Sequence, residues 1–163
     1  MSHTIKTITC PKYTVANSDN GESLENFAKR MKEKYNYLYD SELKLKNIKV
    51  TLNKKVNQYG EKEGLDHIMT KRERLGIYEY DKSRIERAHW IECVFGPECS
   101  NCEHLIMKRD ISHKTSDKKN YRVNVCCKNM LYMVTLEFIS RKNELLIITA
   151  FPIKMGKYLK DFE

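Results

Sequence analysis

The chain contains no apolar run of transmembrane length, and its first 30 residues are polar with only isolated Ile and Val, so neither a membrane span nor a secretory signal is expected. That predicts a cytoplasmic protein with no membrane partner. Internal repeats and low-complexity tracts are also missing, which excludes solenoids and arrays. Cysteine is limited to Cys10, Cys93, Cys99, Cys102, Cys126 and Cys127. An even count suggests disulfides only in an exported protein, so free thiols are the expectation. Acidic residues are outnumbered, 22 Asp+Glu against 30 Lys+Arg, for a net charge of +8. The excess cations cluster around residues 44–55, 71–87 and 108–122. Clusters of this kind can track a polyanion such as RNA, although a Lys-rich solvated surface explains them equally well.

At 163 residues the chain suits one domain with a small appendage. Residues 1–22 read as a flexible N-terminal arm, rich in Thr, Ser, Asn and Lys, and residues 23–163 as a single domain. Ser23 precedes Leu24, Phe27, Met31, Tyr35 and Leu38 at near-helical spacing, predicting an amphipathic helix over about 23–37. The alternation in Leu45–Leu52 predicts a strand, Leu65–Thr70 a short strand or loop, and Asp81 the N-cap of a helix from Lys82 to about Cys93. Residues 93–119 form a Cys-rich irregular insert around a short strand at Glu103–Lys108. Three strand-like runs, Tyr121–Cys127, Met130–Ile139 and Asn143–Phe151, are joined by short connections that imply an antiparallel meander. The fold class is therefore α+β, with helices packed on a curved, mainly antiparallel sheet.

Two histidines, His67 and His89, stand among arginines in residues 64–91. Imidazole exchanges protons near neutral pH, and RNA carries its own nucleophile in the 2′-hydroxyl, so acid-base cleavage of a phosphodiester requires no metal. Either histidine suits the proton-transfer role. Arg72, Arg74, Arg84 or Arg87 suits the phosphate, with Lys71 beside them, and Thr149 can donate from the last strand. The plainer reading makes His67 a surface residue and His89 a packing residue at the edge of its helix. Tyr35, Tyr37, Tyr39, Tyr78 and Tyr80 offer rings on which bases stack, or serve as core.

Cys99-x2-Cys102 is one thiolate half-site for a structural zinc ion, to be completed by Cys126 or Cys127 with Cys93, His104 or His113. A second Cys-x2-Cys is missing, and adjacent Cys126 and Cys127 on a strand point to opposite faces. Free cysteines are preferred to zinc, and no cofactor is required.

The runs Lys49-Val50-Thr51-Leu52, Gly64-Leu65-Asp66-His67-Ile68-Met69-Thr70, Asp81 through Ile91 and Leu146-Ile147-Ile148-Thr149-Ala150-Phe151-Pro152 resemble the phage-borne branch of the barnase, EndoU, colicin and RelE-like nuclease superfamily. The resemblance covers about residues 24–153. It implies an N-terminal helical part on a four- or five-stranded antiparallel sheet, and a metal-independent ribonuclease, toxin or mobile-element effector opposed by an antitoxin or immunity protein. It also implies His67 as general acid or base, a motif helix carrying Arg84, Arg87, Trp90 and Ile91, and Thr149 facing the cleft. The Cys-rich insert departs from that pattern. Active-site residues vary across the superfamily, so Arg122 and Lys142 are further phosphate-ligand candidates without a motif. The alternative function is a noncatalytic nucleic-acid-binding or protein-interaction domain with a zinc-pinned insert.

Overall fold

Ser23 holds extended backbone and accepts from the Asn26 amide at 3.1 Å, which caps helix α1 (Leu24–Lys34). The helix buries Phe27, Ala28 and Met31, and a 3-10 turn (Asn36–Asp40) then buries Leu38 and Tyr39. The computed structural model describes residues 14–58, 60–72, 76–96, 104–110, 120–127 and 130–153. Short strands β1 (Leu43–Leu45) and β2 (Ile48–Thr51) follow, where the sequence suggested one strand. They pair antiparallel across Lys46 and Asn47, whose positive φ angles of 47° and 69° fit a two-residue hairpin turn.

The stretch expected as a short strand or loop is instead helix α2 (Glu63–Ile68). Its buried Leu65, Ile68 and Met69 fall at helical, not alternating, spacing. β3 (Thr70–Arg72) and β4 (Tyr78–Tyr80) form a separate two-stranded ribbon.

Asp81 caps the next segment, accepting from the Arg84 amide at 3.1 Å. That segment divides into α3 (Lys82–Ile85) and α4 (Trp90–Phe95), not one helix to Cys93. The break has a visible cause. In a continuous helix the Glu86 carbonyl would accept from Trp90, but here it accepts from the Ala16 amide at 2.9 Å. The Trp90 amide turns to Arg87 O at 2.9 Å, and the Trp90 indole donates to Thr14 O at 3.1 Å. Residues 14–16 thus dock on the segment they interrupt.

Strands β5 (His104–Asp110), β6 (Tyr121–Cys127), β7 (Tyr132–Ile139) and β8 (Glu144–Pro152) complete a six-stranded sheet of order β1-β2-β8-β7-β6-β5. The last three match the meander read from alternation. The sheet has more strands than the resemblance implied and is antiparallel except where β2 runs parallel to β8. It curls enough for Leu45 and Ile48 of the first hairpin to share a cavity of about 140 Å³ with Ile106 and Val123.

Alternation decides the faces. Val123, Val125, Cys127, Tyr132, Val134, Leu136, Leu145, Ile147 and Ala150 join the helices in the main core. Cys126 and Met133, on the other face, form a small cluster with Ile153, Leu131 and Phe151. The adjacent thiols therefore do point apart, and burial pushes the Cys126 thiol up to about 11. Among the described residues no helix is long and apolar enough to cross a membrane.

Candidate functional site

β2 accompanies β8 only as far as the pair Thr51↔Leu146. Beyond it α2 and α3 pack beside the rest of β8, so residues from four elements meet at one edge. His67 lies exposed in the last turn of α2, and the Thr70 hydroxyl, itself buried, donates to the His67 carbonyl at 3.1 Å. Arg84 of α3 donates from Nη1 to the Thr70 carbonyl at 2.7 Å and to Thr149 Oγ1 at 3.4 Å. Its guanidinium stands 5.0 Å from the centre of the Phe151 ring. A planar cation stacked on an aromatic and held by a carbonyl is well fixed in direction.

Thr149 is paired with Thr135 across the strands, and the Thr135 hydroxyl donates to Asn124 Oδ1 at 3.0 Å. A polar row, Arg84, Thr149, Thr135 and Asn124, thus crosses β8, β7 and β6 on the face away from the main core. Ile148 is the extra residue of a bulge between the Thr135↔Thr149 and Leu136↔Ile147 pairs. Such irregularities re-aim neighbouring side chains. The sequence reading missed Thr70, Thr135 and Asn124. Asn124 and Thr135 did leave a signal, because each interrupts an apolar run at the alternate position.

No protein-family model matches the chain, and no curated protein or solved structure shows significant similarity to it.

The His67 imidazole lies nearly parallel to the Tyr78 ring, 12° between planes and 6.1 Å between centres. It is linked to Arg84 through Thr70 and the backbone, while its own ring contact is with Tyr78. Arg72, directly opposite Tyr78 in the ribbon, is exposed, and exposed Lys71 pairs with Asp81 at 3.5 Å. Burial opposes the Asp81 charge, but bonds from Ser83, the Arg84 amide and Lys71 outweigh it and lower its pKa. Arg87 is engaged elsewhere: it donates to Ser83 O at 3.0 Å, approaches Glu86 at 3.5 Å and covers the Trp90 ring at 5.3 Å.

Arg122 shares the outer face but pairs with Glu137 at 4.0 Å, one row beyond Asn124. Lys142 is exposed in the β7–β8 turn, roughly 20 Å along the strand from Thr149. Arg74, Cys99 and Cys102 lie outside the described residues. Among the described residues no three His, Cys, Asp or Glu side chains gather as a metal site.

Behind α2, the Lys32 ammonium meets Glu61 at 2.6 Å, Tyr80 OH at 2.9 Å and Asp66 at 3.0 Å, and Tyr80 OH donates to Asp66 at 2.6 Å. Burial works against the Lys32 charge, yet these bonds prevail and raise its pKa. The cluster fixes α2 to α1 and β4. It adjoins an open cleft of about 420 Å³ whose walls carry Lys29, Lys32 and Lys62 alongside Glu33 and Glu61. With its charges mixed and His67, Arg84 and Thr149 outside it, that cleft is a poor anion site.

His89 is packed, not poised for transfer. It is 8% exposed, stacks on buried Tyr35 with centres 4.8 Å apart, and its Nδ1 has no hydrogen-bond partner among the described residues. Burial lowers its pKa from the ordinary 6.5; the Thr14 backbone contact opposes this, Lys34 adds to it and Glu92 opposes it. The unfolded chain therefore takes up this proton first. The stability contributed by neutral His89 is complete above the unfolded value and is lost as pH falls through the folded one. The melting temperature should fall as pH drops below about 7, with a shallower slope in His89→Phe. Identical slopes would show that another group governs the acid response.

Proposed function

We propose that the protein is a metal-independent endoribonuclease that cleaves RNA by attack of the 2′-hydroxyl on the adjacent phosphate where α2 and α3 meet the edge of β8. The observation that carries this reading is Arg84, which ties Thr149 to the Thr70 turn beside exposed His67. His67 removes the 2′-hydroxyl proton as the 2′-oxygen bonds to phosphorus. The 5′-oxygen leaves with the P–O bonding pair and takes a proton from water, giving a 2′,3′-cyclic phosphate and a 5′-hydroxyl end, and the His67 imidazolium returns its proton to the solvent. Arg84 and Thr149 stabilise the charge that gathers on the non-bridging oxygens, a task suited to donors already held in place. Lys71, Arg72 and the net charge of +8 attract the strand.

In this reading the chain is a cytoplasmic toxin or mobile-element effector of the phage-borne barnase, EndoU, colicin and RelE-like type, restrained by an antitoxin or immunity protein. The nucleophile belongs to the substrate, so the reaction requires no metal. Total RNA or tRNA incubated with the wild type in excess EDTA should yield fragments with 2′,3′-cyclic phosphate ends. Arg84→Ala should slow the cleavage by roughly 100- to 1,000-fold. Intact RNA, or cleavage only after adding a divalent ion, would overturn the proposal.

A second reading, RNA binding without cleavage, draws on the stacking of His67 against Tyr78, which suits a binding surface as well as a catalytic one. Retention of intact RNA by the wild type would favour it.

A further inference from the structure

The β3–β4 ribbon ends in side chains that folding alone does not explain. Tyr78 is 64% exposed and its neighbour Ile77 57% exposed, although both are large and apolar. Tyr80, on the same ribbon face, is by contrast tied to Lys32 and Asp66. The two tyrosines read together from sequence thus have different surroundings: one anchors the ribbon and the other faces solvent.

We propose that Tyr78 is the platform on which an unpaired RNA base stacks, so that the substrate is single-stranded RNA. This deepens the reading above and rests on it. The His67–Tyr78 stack is loose: its centres are 6.1 Å apart, against 4.8 Å for Tyr35–His89 and for Tyr121–Phe138. Tyr78 therefore keeps ring surface open to a planar partner while holding an edge of the site next to His67. Arg72, opposite Tyr78 in the register, supplies positive charge for the backbone of a strand whose base lies on the ring. A base in a duplex is already stacked on both faces and paired along its edge, whereas an unpaired base can swing onto an aromatic side chain. The ribbon thereby selects for strand state and places the phosphate beside a stacked base within reach of the β8 edge.

The test is binding of a dye-labelled 2′-O-methyl RNA, as a single strand and as a hairpin duplex, followed by fluorescence anisotropy. Its capped 2′-oxygen cannot attack phosphorus, so the measurement stands whether or not the protein cleaves RNA. The wild type should bind the single strand more tightly than the duplex. Tyr78→Ala should weaken single-strand binding by roughly 5- to 100-fold, and Tyr78→Phe, which keeps the ring, by no more than about twofold. Both exposed-site variants should melt with the wild type, which separates lost stacking from lost fold. Unchanged affinity in Tyr78→Ala, or a preference for the duplex, would overturn the stacking proposal alone. Failure of the wild type to bind either RNA would overturn it together with the nuclease reading.

Discussion

His67→Ala is expected to cleave RNA about 100- to 10,000-fold more slowly than the wild type, the range lost when a positioned acid-base group is removed. Its melting temperature should barely move. The imidazole is exposed, its ring contact is with exposed Tyr78, and the Thr70 bond at 3.1 Å goes to the His67 carbonyl, which alanine keeps. Exposed substitutions away from special features usually change stability by no more than about 0.5 kcal/mol. The two measurements must be made on the same preparation, because a slow, unfolded variant would say nothing about chemistry. Equal rates for wild type and variant would remove His67 from the mechanism, and with it the transesterification scheme as drawn. Arg84→Ala differs in kind. It removes a charge-assisted bond to the Thr70 carbonyl as well as the proposed phosphate donor, so its rate loss should come with a lower melting temperature.

Local sequence signals account for the elements whose partners lie close in the chain. Ser23 and Asp81 were readable as caps because a short polar side chain before an apolar helical pattern satisfies an amide that would otherwise be unpaired. β6, β7 and β8 were readable because one face is buried and alternation follows from that. Three features escaped for different reasons. Lys46 and Asn47 take left-handed backbone inside what reads as one strand. The break between α3 and α4 depends on Ala16, some seventy residues away, reaching the Glu86 carbonyl. α2 is too short to show a helical period, and its identity rests on how Leu65, Ile68 and Met69 are buried.

The candidate site was legible in its charged members and illegible in its connections. Arginines and histidines stand out by residue type, and the resemblance singled out His67, Arg84 and Thr149. Nothing local indicates that Arg84 turns toward Thr149, 65 positions later, while Arg87 turns back onto Trp90. Thr70 looked like an ordinary strand residue. Its hydroxyl and carbonyl nevertheless join the His67 turn to Arg84, and their role follows only from the packing of α2 and α3 against β8.

Gly64→Ala should lower stability by about 3 kcal/mol, and the reason lies in how α2 is seated. A Cβ at position 64 would come within 2.9 Å of both the amide nitrogen and the carbonyl oxygen of Asn53, and 3.0 Å of Leu52 Cβ. Two of those atoms are backbone and cannot rotate away. The same approach supports the bonds from the Gly64 amide to Asn53 O at 2.9 Å and from the Glu63 amide to Lys55 O at 2.8 Å, so relieving the clash stretches both. Alanine is the better helix former by at most about 1 kcal/mol, which does not offset overpacking plus two weakened hydrogen bonds. For a chain of this length the loss corresponds to a melting temperature lower by roughly 6–12 °C. Serine, with one more heavy atom, should cost at least as much. Because His67 lies one helical turn after position 64, a displaced α2 disturbs the turn through which Thr70 links the His67 carbonyl to Arg84. The folded fraction of Gly64→Ala should therefore also cleave more slowly than wild type at equal folded concentration. A variant that melts at or above the wild-type temperature would show that α2 does not rest on the Asn53 backbone, and the reason offered here for glycine three residues before His67 would fall.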